Sequence, residues 1–367
     1  MYCANTYRGT SGINCADETG EILGSFIRID ILFREASEKM KIGILGAGAM
    51  GSLVGAHLKK GGGEVFFIDV YEEHMRAVRE KGLTMELENE DAPQTVFVDG
   101  AEVSGAGIGV CDAVIVLVKC YDTEKAVTEN GQLFGKDTVA ITLQNGVGGA
   151  DLLAKHFDKD HIGLGLLKAS GNLLAPGRIL GSPRFANSPK GVYFAPFGSD
   201  TPYHGLYMEL ERLLCTGGMP AECTDKINEM IWDKLSNNVM FNGIAALLQI
   251  ANQDSLYHSD GVILMKEMVR ETCLVARAKG IDLSFEKCWE THSTGLLPRE
   301  QTKTLHYVSM LIDAYHKRKT EIDFINGTVV REGERYGIPT PYNEAIYRLV
   351  KVMQDTYDLR YAPSPNL

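Results

Sequence analysis

Lys234, Asn238 and Asn242 stand at four-residue intervals, the last of them inside an apolar run. On a helix they share nearly one face. Asn242 lies between Val239-Met240-Phe241 and Ile244-Ala245-Ala246-Leu247-Leu248. A buried amide without partners costs ~1–3 kcal/mol, so this row should face something polar. A lysine beside a partly desolvated cleft can serve as a proton donor, because burial lowers its pKa. The alternative is a solvent-facing polar stripe, and the flanking hydrophobicity argues against it. Farther along, Thr320 reads as the cap of a helix. Glu321 would then sit in the first turn, where the helix dipole favours an ionised carboxylate. Twelve residues upstream of Glu321, Ser309 shares a helical face with Asp313.

A second constellation lies near residue 50. Gly46-Ala47-Gly48-Ala49-Met50-Gly51 is G-x-G-x-x-G, directly after an apolar run and directly before a helical pattern. The first glycine allows a tight turn, the second lets the backbone approach a pyrophosphate, and the third lets helix pack on strand. The helix start offers free N–H groups to the anion. Asp69 ends Val65-Phe66-Phe67-Ile68, at the place where a carboxylate typically accepts hydrogen bonds from the adenosine ribose. It would repel a 2′-phosphate, and no Arg or Lys follows before Arg76. On these grounds NADH is favoured over NADPH. Lys119 and Asn145 close two further apolar runs, at the strand ends where parallel sheets present their ligand crevice.

The elements that must hold these groups follow from periodicity. Short β-branched runs at 41–45, 64–69, 113–118 and 138–142 alternate with helical stretches such as 51–60 and 72–81. That alternation implies a parallel sheet covered on both faces. Beyond Asp225 only helical periodicities stand out: 225–252, 260–279, 301–315, 321–336 and 343–357. Gly280, Gly337 and the Pro339/Pro341 pair read as helix stops. The expected organisation is a loosely ordered extension over 1–39, an α/β Rossmann-type dinucleotide-binding domain over 40–224, and an all-α substrate-binding domain over 225–367. Met40 reads as the natural start, which N-terminal sequencing of the native protein checks.

The chain has 367 residues, 37 Lys+Arg against 48 Asp+Glu, and a net charge of −11. Such an acidic chain repels phosphate backbones, so no nucleic-acid partner is expected. The densest basic run, Lys317-Arg318-Lys319, is short. No apolar stretch approaches the ~20 residues of a membrane span. The segment 22–33 is interrupted by Arg28 and Asp30, unlike a signal-peptide core. The eight cysteines form no C-x-x-C pair. They read as reduced thiols of a cytoplasmic protein, with no metal site expected. Helical domains of this kind can pair through apolar faces, so a homodimer is open, although periodicity identifies no such face.

Taken together, these segments resemble the ketopantoate reductase (2-dehydropantoate 2-reductase) family from about Met40 to Asp355. The markers are the G-A-G-A-M-G loop, L-V-K at Lys119, L-Q-N-G-V-G at Asn145 and A-P-G-R-I at 175–179. They continue with W-D-K-L-S-N-N-V-M-F-N from Trp232, S-M-L-I-D from Ser309, K-T-E-I-D-F-I-N-G around Glu321 and G-I-P-T-P from Gly337. The resemblance implies a Rossmann-type domain followed by a helical domain of the 6-phosphogluconate-dehydrogenase-like type. It also implies NAD(P)H-dependent reduction of 2-ketopantoate, a small 2-keto acid, to D-pantoate on the way to pantothenate and coenzyme A. Carried onto matching positions, Lys234 would be the general acid. Asn238, Asn242 and Ser309 would bind the substrate's carboxylate and hydroxyl region. Glu321 would hold a hydroxyl and help orient Lys234, and Asn145 would touch cofactor and substrate.

Two departures bear on this. The family usually favours NADPH and often carries an arginine just after the second strand, where this chain has Val70 beside Asp69. That suggests an NADH-using variant. The segment before the Pro-Gly turn, 168–174, also lacks the family's usual threonine, so different adenine-side or substrate contacts are expected there. Two other readings stand beside the first: an NADH-dependent reductase of another 2-keto acid on the same scaffold, and a dinucleotide-binding sensor without catalysis.

Overall fold

The computed structural model describes residues 39–359 apart from Asn89, Ala186 and Thr304. Apart from Lys39, the extension expected over 1–39 lies outside the described residues. In chain order the strands are β1 (Lys41–Leu45), β2 (Glu64–Ile68), β3 (Leu83–Leu87), β4 (Gln94–Val96), β5 (Gly100–Glu102) and β6 (Ala113–Val116). They continue with β7 (Val139–Thr142), β8 (Ile162–Leu167), β9 (Ser170–Ala175), β10 (Arg178–Ser182), β11 (Val192–Pro196) and β12 (Ala221–Cys223). The helices of this part are α1 (Ala49–Lys60), α2 (Glu72–Lys81), α3 (Thr123–Glu129), α4 (Gly149–Leu153) and α5 (His204–Thr216).

One sheet has the order β12-β11-β8-β7-β6-β1-β2-β5. Its pairings are parallel except that β11 runs antiparallel to β8. β1 and β6 are buried almost throughout, which explains their unbroken apolar runs rather than a polar alternation. One face packs Ile42, Ile44 and Phe67 against Leu53, Val54 and Leu58 of α1 and Leu210 and Leu213 of α5. The other packs Leu45, Val114 and Val116 with Val127 of α3 and Leu153 of α4. From β1 the chain winds to β2 on one side, and β6 adds on the other. Order therefore reverses between β1 and β6, and a crevice opens at their carboxyl ends.

A second sheet, β4-β3-β10-β9, was not expected from the sequence. Its strands are short or half-exposed: β9 has no buried residue, and β3 alternates buried with half-buried residues. No continuous apolar run therefore announces them. The A-P-G-R-I segment is the turn between β9 and β10, with Gly177 at φ +74°.

The helical part comprises α6 (Ile227–Leu248), α7 (Asn252–Leu256), α8 (Ser259–Ala278), α9 (Phe285–Ser293), α10 (Ser309–Tyr315), α11 (Asn326–Tyr336) and α12 (Pro341–Asp355). Trp232, Leu235, Val239 and Phe241 of α6 form its core with Met265, Met268 and Val269 of α8, Met310 of α10 and Val350 of α12. α6 is buried on nearly every side from Val239 to Ala246. Gln249, left-handed at φ 56°, ends it.

Three expectations require correction. The helix expected over 301–315 begins only at Ser309. Before it, the Asn252 N–H donates to the His306 carbonyl at 3.0 Å, and the His306 N–H donates to Gln253 Oε1 at 3.1 Å. These partners lie outside any helix, so the segment is not driven to form one. The helix expected from Glu321 is a 3₁₀ turn at Ile322–Phe324 followed by α11. Thr320 Oγ1 donates to Gln354 Oε1 at 2.9 Å rather than capping a helix start. Pro341 is the first residue of α12, where its missing N–H costs nothing, and so it starts a helix rather than stopping one.

Candidate active site

Gly46 follows β1 at φ +98°, and a Cβ there would collide with the Val118 backbone. A Cβ on Gly51 would collide with the Gly46 carbonyl, whereas one on Gly48 would meet nothing within 4 Å. Two of the glycines thus permit close packing, and Gly48 leaves open space. That space lies at the start of α1, whose first turn carries no acidic residue and whose last turn carries His57, Lys59 and Lys60. Such a start suits an anion. Asp69, at the end of β2, accepts the Tyr71 N–H at 2.9 Å. Burial raises its pKa above the ordinary carboxylate value, and the Tyr71 N–H opposes that. Val70 beside it is 87% exposed. The cradle therefore fits a dinucleotide.

Across the crevice, β7 is followed by Gln144 and Asn145. The Gln144 amide donates to the Val118 carbonyl at 2.6 Å and to Thr123 Oγ1 at 2.9 Å, stapling the β7 loop to the β6 loop. The Val147 N–H donates to the Phe324 carbonyl at 2.9 Å, which ties the same loop to the 3₁₀ turn. Thus fixed, Asn145 Oδ1 accepts a hydrogen bond from Lys234 Nζ at 2.7 Å. The Leu167 carbonyl, at the end of β8, accepts a second at 2.9 Å. Burial, and then the charge of Lys168, push the Lys234 ammonium down to about 7, with the Glu321 charge opposing. Near neutrality such an amine both gives and takes a proton.

Lys119 follows β6 and reaches Asp313 Oδ2 of α10 at 2.7 Å and Glu321 Oε2 at 3.4 Å. Burial alone would lower its pKa, but the two carboxylates outweigh that and raise it. Glu321 also accepts the Cys120 N–H at 3.1 Å. Its hydrogen bonds therefore go to Lys119 and the β6 loop. Toward Lys234 its charge favours the ammonium and opposes the effect of burial.

A cleft of about 950 Å³ joins these groups. Its walls include Gly46, Gly48, Ala49, Met50, Gly51, Asp69, Lys119, Asn145, Lys234, Asn238, Asn242, Ser309 and Glu321. Among the sequence-nominated residues only Ala47 is missing from the walls; it is fully buried beneath the loop. Asn242 is nearly inaccessible, Asn238 half-buried and Ser309 exposed. The α6 row and the first residue of α10 thus face the same space. The sequence reading missed Asn237, Tyr307, Ile312 and the Leu167 carbonyl. It also missed Lys168, although a polar residue closing the apolar run of β8 is the same signal that pointed to Lys119. No helix among the described residues is long and apolar enough to cross a membrane.

Residues 42–197 match the family model described as ketopantoate reductase PanE/ApbA, and residues 226–354 match its C-terminal counterpart. The 2-dehydropantoate 2-reductase of Lactococcus lactis subsp. lactis is 30% identical over 318 residues, covering 85% of this chain and 97% of that protein. The Pyrococcus horikoshii 2-dehydropantoate 2-reductase is 29% identical over 319 residues, covering 86% and 98%. Among solved structures, D-mandelate dehydrogenase with NADH and anilino(oxo)acetate superposes with a TM-score of 0.76 at 29% identity, covering 88% of this chain and all of that one. A PanE/ApbA family ketopantoate reductase from Ralstonia eutropha gives 0.73 at 26% identity, covering 87% and 100%.

Proposed function

This chain belongs to the ketopantoate reductase family of oxidoreductases, and we propose that it reduces 2-ketopantoate to D-pantoate with a proton from Lys234. One observation carries the proposal. The Lys234 ammonium, bonded to Asn145 and tuned to about 7, lines the cleft that the glycine loop also lines. A bound reduced nicotinamide supplies the hydride. The residues of this chain do the remainder. Hydride addition to a ketone builds negative charge on oxygen, so an ammonium fixed beside it both stabilises that charge and donates the proton. Asn238, Asn242 and Ser309 offer amide and hydroxyl groups to the acid's carboxylate and hydroxyl. Asn145 holds Lys234 in place, and Glu321 anchors Lys119.

The acid role fixes a pH dependence. Reduction needs the protonated amine, so kcat/KM for the keto acid falls as pH rises through about 7. Oxidation of the hydroxy acid needs the free amine and rises through the same value. A pH–rate profile run in both directions checks this. Two limbs of the same sign would remove Lys234 from the proton transfer.

We propose NADH as the preferred cofactor. A 2′-phosphate would sit beside the Asp69 carboxylate, with Val70 offering no cation. A penalty of even ~1.4 kcal/mol gives tenfold preference, and like charges in a half-buried site exceed that. Comparing kcat/KM for NADH and NADPH with ketopantoate should give a ratio above ~10. A ratio below one would reassign Asp69.

A second substrate reading has its own support. Tyr307, Ile312 and Phe185 add apolar surface to the cleft, and the D-mandelate dehydrogenase relative binds an aromatic oxo acid analogue. Rates across a panel of 2-keto acids separate the two readings. Turnover of a bulky aromatic keto acid equal to that of ketopantoate would favour the second.

A further inference from the structure

The glycine loop and the second sheet meet through two buried polar side chains that the reduction does not use. Ser52, near the start of α1, is fully buried, and His74, on α2, is 1% exposed. The Gly177 N–H, in the turn between β9 and β10, donates to His74 Nδ1 at 2.8 Å. A backbone N–H can only donate, so Nδ1 is the bare nitrogen and the ring proton sits on Nε2. Nε2 lies 3.0 Å from Ser52 Oγ, which therefore accepts the ring N–H. The Ser52 hydroxyl gives its own proton to the Ala47 carbonyl of the glycine loop, at 2.8 Å. Donors and acceptors thus run in one direction, from the turn through His74 and Ser52 to the loop.

Each end of this chain of hydrogen bonds borders the cleft. Ala47 stands between Gly46 and Gly48, and the Ser52 N–H also donates to the Gly48 carbonyl at 2.8 Å. At the other end, the turn closes the hairpin of β9 and β10, and Ser170, Gly171 and Asn172 of β9 line the cleft. A Cβ on Gly171 would lie 3.0 Å from Met50 Sδ and 3.3 Å from the Ala49 carbonyl oxygen, so β9 abuts the glycine loop directly.

The direction of the bonds holds only while the ring is neutral. Burial lowers the His74 pKa below its ordinary value, and the Asp69 charge opposes that. Asp69 ends β2, and the Tyr71 ring stacks on His74 with centroids 6.2 Å apart. On the other sides α1 presents Ser52, and Arg178, beside the turn, is paired with Glu86 of β3. A second ring proton would set Nδ1–H against the Gly177 N–H, donor against donor, and free the turn.

We propose that His74 and Ser52 are positioning residues for the dinucleotide: they fasten the hairpin of β9 and β10 to the glycine loop, so that both walls of the cofactor cradle stay in register. The proposal rests on the dinucleotide lying against that loop, as in the reading given for the site. It gives the A-P-G-R-I segment a task. Neither side chain stood out in the sequence, because α1, α2 and the hairpin meet only in the folded chain.

The test begins with the full chain carrying ¹⁵N-labelled histidine. Long-range ¹H–¹⁵N spectra at neutral pH should show His74, identified by its loss in His74→Gln, as the neutral Nε2–H tautomer. An Nδ1–H tautomer, or a ring protonated at neutral pH, overturns the arrangement without reference to binding. Ser52→Ala, which cuts the connection beside the loop, should raise the NADH Kd ~10-fold or more. In the wild type that Kd should also rise as pH falls below the ordinary histidine range, because the protonated ring repels its partner on the hairpin. His74→Gln, which cannot titrate, should lack that rise, while the contribution of Asp69 stays in both proteins. Wild-type affinity in Ser52→Ala, or the same pH profile in wild type and His74→Gln, overturns the proposal alone. A wild-type chain that binds no NADH overturns the cofactor reading itself, and the proposal with it.

Discussion

Replacing Lys234 by alanine is expected to lower turnover ~10²–10⁴-fold, the scale of a lost general acid, with the dinucleotide's Kd changed by less than ~3-fold. The split follows from where the amine sits. Its hydrogen bonds go to Asn145 and the Leu167 carbonyl, and none of its partners belongs to the glycine loop. Removing it also leaves the Asn145 amide unpartnered, so part of the loss will come from a misplaced Asn145. Asn145→Ala, which leaves the amine bonded to the Leu167 carbonyl alone, separates the two contributions. Cofactor fluorescence titration and steady-state rates on the same preparation make the comparison. A Lys234→Ala protein that turns over like wild type would end the assignment. A wild-type protein that binds dinucleotide yet reduces no keto acid would favour the sensor reading.

The second large effect contrasts two glycines separated by one residue. Gly46→Ala should cost more than ~4 kcal/mol of stability, because its Cβ would meet the Val118 backbone and φ +98° is strained for any L side chain. Backbone cannot move aside as a side-chain tip can. Gly48→Ala should fold normally, since its Cβ meets nothing within 4 Å. Yet that empty volume is where the anion must approach the start of α1, so cofactor Kd should rise ~10-fold or more. Thermal melts and cofactor titrations of both variants provide the check. Equal cofactor affinity in Gly48→Ala and wild type would move the pyrophosphate elsewhere.

Much of this site was legible in the residues because the physics that marks it is local. A glycine at a tight turn, a carboxylate ending a strand and a polar row at helical spacing each announce themselves within a dozen positions. Four strands of the larger sheet, β1, β2, β6 and β7, were legible for the same reason, since buried parallel strands are written as apolar runs, whereas β5, β8, β11 and β12 went unread. The second sheet was not, because half-exposed strands such as β9 carry no such run. Nor was the partner of Lys119. Asp313 and Glu321 lie 194 and 202 residues away, and no spacing rule joins groups that only the folded chain brings together. Glu321 misled for a related reason: its neighbours read as a helix start, but Thr320 spends its hydroxyl on Gln354 of α12.

One consequence follows from the 22-residue length of α6. Lys234, Asn238 and Asn242 ride on a single rod wedged among α8, α10 and α12, so no one of them can shift without carrying the other two. Tyr307, by contrast, sits on an irregular stretch, and Ser309 and Ile312 on a helix barely two turns long. A lineage adapting this molecule to a new acid would find the chemistry hard to disturb and the side-chain fit easy to retool.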